Sequence, residues 1–216
     1  MIIPWLAITG IGRFMVLTPV AVVLAVWFGM ARDWRHLFLW LGLYVGGMAV
    51  VVLTKIAFIG WGLGVEAWDY TGMSGHAMRA ASVLPALFWL LAAQRGQAVR
   101  ALAIVAGALC AGVICWSRIV VHAHSMSEVV LGGGFGFALF AVLHHSLSSP
   151  GARPPVTYRW MLLVGAFSML GTPAIQPLPT QQWITRVALL VSGHAHPYTR
   201  QGWHRHHPVV QPMPSD

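Results

Sequence analysis

Long apolar blocks separated by short polar breaks dominate this chain. They run from Arg13 to Ala31, His36 to about Gly60, His76 to Ala93, Ala98 to Trp116 and Met126 to Leu143. Each is close to the roughly 20 residues that an α-helix needs to cross a bilayer core. The breaks are a tight polar turn over Arg32 to Arg35, a glycine-rich loop from Gly60 to Gly75, a turn over Gln94 to Gln97 and a polar connection from Ser117 to Ser125. Such turns return the chain in the opposite direction. A sixth span starts at Trp160 to Leu170 and runs into Pro173, Pro177 and Pro179, while Trp183 to Val191 is too short to cross and reads as an interfacial helix. Met1 to Ile11 lacks the basic region of a cleavable signal and merges into the first span, so it is expected to be retained. The expectation is an all-α integral-membrane helical bundle of about six transmembrane helices over residues 1–193, followed by a basic, histidine-rich tail over 194–216 that is in part poorly ordered.

Composition supports the membrane reading. The 216 residues are 57% hydrophobic and 8% charged, too little polar surface to coat a soluble domain of that size. The formal net charge of +8 would suggest a nucleic-acid partner in a soluble protein. Here the basic residues stand singly between apolar spans, with no stripe to follow a phosphate backbone, so anionic lipids are the expected partners and nucleic acid is not. Cys110 and Cys115 lie five residues apart inside one span, which favours neither a disulfide nor a metal pair.

If successive spans alternate in direction, the end of the second, the start of the third, the end of the fourth and the start of the fifth share one membrane face. Lys55, His76, Arg118 and His124 then converge. The opposite loops hold Arg32, Arg35, Arg95, Arg100, Arg153 and Arg159 against the single acid Asp33. By the positive-inside rule the cluster faces away from the cytoplasm, which in a bacterial inner membrane is the periplasmic side. The tail arginines Arg186, Arg200 and Arg205 oppose this if they share the cluster's face.

Ionisable residues at the ends of membrane helices are expensive and mark functional sites. Phosphoryl transfer suits this set. Lys55 and Arg118 supply positive charge, and Ser74 and Gly75 precede a span whose helix N-terminus presents free amides to a phosphate. His76 and His124 form an acid and nucleophile pair, and Glu128, one helical turn after His124, can hold its ring. Milder readings compete: Ser74 as a simple helix cap, Lys55 as a snorkelling side chain, Glu66 and Asp69 as solvated loop acids, and His122, His124 and Glu128 as metal ligands. The tail histidines His194, His196, His204, His206 and His207 read as part of a flexible basic segment.

The block from Ser117 and Arg118 through His124 to Glu128 resembles the third signature of the type 2 phosphatidic acid phosphatase superfamily, Ser-Arg, five residues, His, three residues, Asp, with glutamate in the aspartate position. Met73-Ser74-Gly75-His76 resembles its Pro-Ser-Gly-His signature, with Met73 where proline is usual. Lys55 fits the lysine of the first signature, but Gly62 and Leu63 stand where Arg-Pro is expected. The likeness covers Lys55 to about His144. It implies a helical phosphatase that needs no metal or cofactor and acts on a membrane lipid phosphate. Lys55, Ser74, Gly75 and Arg118 would be phosphate ligands, His124 the nucleophile that forms phosphohistidine, His76 the general acid and Glu128 the orienter. Arg79 is a candidate substitute for the absent arginine, and His122, Glu66 and Asp69 are further candidates. Undecaprenyl pyrophosphate is the first substrate guess by family analogy. A phosphotransferase with an acceptor other than water and a non-catalytic lipid-binding or transport protein are the alternatives.

Overall fold

The computed structural model describes residues 3–147 and 180–206. The predicted spans appear as helices with similar bounds: α1 (Ile3–Ile11), α2 (Phe14–Met30), α3 (Trp34–Trp61), α4 (Gly75–Leu91), α5 (Gln97–Val120) and α6 (Met126–Leu147). They are followed by α7 (Thr180–Ser192) and the short α8 (Arg200–His206). The protein is an all-α, multi-pass membrane protein.

Among the described residues, four stretches are long and apolar enough to cross a bilayer: Pro4–Met30, Trp34–Trp61, Gln97–Val120 and Met126–Leu147. This is fewer than the six expected from the sequence. The predicted span at Trp160 to Leu170 lies outside the described residues. The third block, α4, has 17 residues and is about 25 Å long, short of the roughly 30 Å bilayer core. It is instead the central post of the bundle. Ala77, Met78, Ala80, Ala81 and Val83 are fully buried, and α5 and α6 pack along it.

Small residues allow that packing. A Cβ on Gly107 of α5 would come within 2.8 Å of the Leu84 carbonyl oxygen and of Pro85 Cα, and one on Gly132 of α6 within 2.6 Å of the Ser74 carbonyl oxygen. A Cβ on Gly136 would run into the Met78 carbonyl. The outer faces are apolar: Leu102, Val105, Leu109 and Val113 form an exposed stripe on α5, as helical spacing dictates for a surface that meets lipid.

At the end away from the candidate site, Asp33 caps α3 by accepting from the His36 amide at 3.3 Å and lies 2.6 Å from His36 Nδ1. His36 Nε2 lies 3.1 Å from Ser146 Oγ, which fastens the start of α3 to the end of α6.

Candidate active site

Three local structures bring the polar residues together. The first is the end of α3, where Gly62 in the left-handed region (φ 70°) stops the helix. A compact loop follows, closed by paired amide-carbonyl bonds between Val65 and Tyr70 at 3.0 Å each. It returns over Lys55, against which Gly72 lies (φ 141°), and the Met73 amide donates to Thr54 Oγ1 at 3.1 Å. The second is the start of α4, where Ser74 caps the helix through the Ala77 amide at 3.4 Å.

The third is the connection from α5 to α6. His122 takes a positive φ of 53°, and the Arg118 carbonyl accepts from the amides of Ala123 and His124. This folds His124 back beside Arg118. A capping box then opens α6: the Ser125 amide donates to Glu128 Oε2 at 3.3 Å, and the Glu128 amide donates to Ser125 Oγ at 3.4 Å. Ser125-Met126-Ser127-Glu128 carries that signal in plain sequence, although the residues were read for chemistry alone.

Glu128 is buried and joins every part of the site. Its Oε2 lies 2.6 Å from His124 Nδ1, and its Oε1 accepts from the Thr71 amide at 2.9 Å, from the Thr71 hydroxyl and from Arg200 Nη2 at 2.8 Å. Its carbonyl accepts from the Ser74 amide at 3.0 Å. So many donors fix it as a carboxylate, which can only accept, so His124 donates from Nδ1. That leaves Nε2 with the lone pair and without a partner among the described residues. Burial pushes the His124 imidazole below the ordinary histidine value; the hydrogen bond to Glu128 works against this, and the charges of Lys55 and Arg118 add to it.

These groups open onto a cavity of about 1030 Å³. Lys55, Gly75, His76, Arg79, Arg118, His124 and Glu128 all line it, so most of the residues picked out from sequence share one space. Ser74 does not line it, its hydroxyl being spent on the cap. Glu66 is exposed on a short 3-10 turn, and His122 is exposed and turned away. Asp69 stands back from the cavity and holds Arg200, its Oδ1 2.9 Å from Nε. Among the described residues no cluster of His, Cys, Asp or Glu could hold a metal ion.

The cavity is strongly cationic. Arg79 is 5% exposed and has no carboxylate partner among the described residues. Its contacts are weak, with the Met48 sulfur at 3.5 Å, the Gly12 carbonyl at 3.4 Å and the Phe14 ring at 5.8 Å. Its Nε has no partner. Arg118 binds the Thr9 hydroxyl at 2.8 Å through one nitrogen and also leaves Nε bare. Lys55 makes no hydrogen bond or ion pair among the described residues. Apolar side chains form another part of the wall, from Phe14 and Val16 of α2, Val51 and Phe58 of α3, and Trp183 and Ile184 of α7.

No local sequence pattern marks the part played by the C-terminal segment. Residues 194–206, expected to belong to a flexible tail, are seated on the end of α3. The Tyr198 amide donates to the Ile59 carbonyl at 2.9 Å, His194 Nδ1 lies 2.6 Å from the Gly60 carbonyl, and Trp203 meets Phe58 edge to face. Gly62 and Gly64 make the seat, since a Cβ at either would come within 2.9 Å of the Tyr198 or Trp203 ring. Position 62 is where the resemblance calls for arginine, and the Tyr198 ring occupies the space beside it.

The chain is similar to an "Uncharacterized 22.5 kDa protein in cps region" of Klebsiella pneumoniae, 35% identical over 211 residues that cover 93% of this chain and 98% of that one. No family model matches the sequence, and no solved structure matches.

Proposed function

The chain belongs to the same family as that Klebsiella pneumoniae protein, and we propose that it is a membrane lipid phosphatase of the type 2 phosphatidic acid phosphatase kind. One observation carries this reading: a partner-free imidazole nitrogen, on a ring held by a buried carboxylate, stands in a cavity where Lys55, Arg79 and Arg118 have no carboxylate partner among the described residues. Burying unpaired guanidinium groups costs several kcal/mol, and an incoming phosphate would offset that cost.

In the proposed reaction His124 Nε2 attacks phosphorus as the bond to the leaving oxygen breaks. His76, whose ring is held down to about 2 in the empty cavity by burial and by the charges of Arg118 and Arg79, gains a proton once the anionic phosphate offsets those charges, and passes it to that oxygen. Glu128 steadies the charge that develops on the His124 ring. Water then attacks the phosphohistidine, returning its proton to His76, and the P-N bond breaks to release orthophosphate. Lys55, Arg79 and Arg118 stabilise the nonbridging oxygens, with the first amides of α4 at Gly75 beside them. The apolar wall between α2, α3 and α7 accepts the lipid chain. The active face is periplasmic in an inner membrane.

The test is phosphate release from undecaprenyl pyrophosphate by the detergent-solubilised protein, alongside His124→Ala. Release that the variant abolishes supports the reading. Binding of the lipid without release would make the site a receptor, and release only with an added acceptor alcohol would make the protein a phosphotransferase.

A further inference from the structure

We propose that Arg200 is a positioning residue of this site, brought in by the C-terminal segment to hold Glu128 in the place from which Glu128 orients His124. The proposed kinetic effect rests on the phosphatase reading; the geometric effect does not.

The two carboxylate oxygens of Glu128 have separate duties. Oε2 faces His124 and the Ser125 amide, while Oε1 faces Thr71 and Arg200. Ser125 reaches the carboxylate through its backbone amide, and Thr71 through its amide and its hydroxyl, all neutral donors. Arg200 is the full charge on Oε1, and it is braced from behind by Asp69, with Nε 2.9 Å from Oδ1 and Nη2 3.4 Å from the Asp69 carbonyl oxygen. A planar guanidinium can bridge two acceptors in a fixed geometry in a way that an ammonium cannot.

The delivery is built into the chain. Gly193 (φ 71°) ends α7, Tyr198 docks over Gly62, and Arg200 follows two residues later. About a third of the Arg200 side chain is exposed, and it lines the cavity.

Removing the Arg200 charge leaves Oε1 held by Thr71 alone, so Glu128 can swing away from His124 Nδ1 and the ring loses the partner that fixes its tautomer. The other charged or titratable groups lining the cavity are Arg13, Lys55 of α3, His76 and Arg79 of α4, Arg118 of α5 and Tyr198, with none from α7. Arg200→Gln leaves all of them in place.

The experiment is nitrogen-15 NMR of histidine-labelled full-length protein in detergent, with the His124 signal assigned by its loss in His124→Gln, together with kinetics. In the native protein His124 should be the Nδ1-protonated tautomer. In Arg200→Gln that tautomer should give way to exchange between the two forms. Turnover should fall about tenfold to a hundredfold, the scale of one hydrogen bond to a charged group, with KM little changed. Arg200→Lys should recover part of the loss, and Asp69→Asn should reproduce a fraction of it. An unchanged His124 tautomer in a folded Arg200→Gln protein would overturn the proposal, even if thermal stability dropped, because Arg200 would then only anchor the segment. If the native protein releases no phosphate, the phosphatase reading fails while the NMR comparison still decides this one.

Discussion

Arg79 holds a full charge in a place where no carboxylate among the described residues balances it, and a buried group of that kind lowers stability in the empty state. Arg79→Met should therefore unfold at the same or a higher temperature than the native protein without ligand. The native protein should gain thermal stability from orthophosphate or vanadate, and the variant should lose most of that gain. A large loss of stability in the unliganded variant would mean that Arg79 is structural. His124 gives a second prediction. Because burial lowers its pKa, the neutral ring that acts as nucleophile persists below the ordinary histidine value near 6.5, so the acid limb of kcat/KM should lie below that pH. A limb at or above 6.5 would contradict the assignment. Single residues were also where sequence reading was uneven. Lys55, His76, Arg118 and His124 were found because polar groups at the ends of apolar helices are conspicuous. Arg200 was not, because its role depends on contacts across 72 residues to Glu128 that no local pattern encodes.

At the scale of elements, the glycine cluster of α6 (Gly132, Gly133, Gly134 and Gly136) is a sequence sign either of close helix approach or of a loosened backbone, and the structure divides its members. Gly132 and Gly136 press on the backbone of α4, whereas Gly134 has nothing within 4 Å of an added Cβ. Gly136→Ala should destabilise the protein by about 1 to 3 kcal/mol through overpacking against the Met78 carbonyl. Gly134→Ala should be neutral or stabilising by up to about 1 kcal/mol, since alanine is the better helix former. Thermal unfolding in detergent compares the two, and equal losses would mean that the packing between α4 and α6 is not what sets stability here. Helix ends were predicted to within a few residues because each apolar run is closed by a distinct residue, such as Asp33 before α3, Gly62 after it and Ser125 before α6. The length of α4 was visible too, but not its setting. A helix rich in alanine and leucine and surrounded by longer ones has the same hydropathy signature as a short span, and tertiary packing decides which it is.

The placement of the whole molecule in the bilayer follows from where its charges end up. The arginines of the tail stood against a periplasmic site when they were counted as free cations. Arg200 is in fact paired with Asp69 and Glu128, while Arg79 and Arg118 project into the cavity and not toward a membrane surface. The opposite end keeps Arg32, Arg35, Arg95 and Arg100, with Asp33 engaged by His36. Exposed Trp61 and Trp68 mark the headgroup level at the site end. This charge asymmetry is the ground for the proposed orientation, with the Arg95 turn in the cytoplasm and the loop that carries Glu66 in the periplasm. In a background with Cys110 and Cys115 replaced by alanine, a cysteine at Glu66 should react in intact spheroplasts with a membrane-impermeant maleimide. A cysteine at Arg95 should react only after lysis. Both positions are exposed, so neither substitution disturbs packing. The reverse pattern would put the cavity on the cytoplasmic side, where a lipid phosphate of the inner leaflet would be its substrate and recycling of an outer-leaflet carrier would be ruled out.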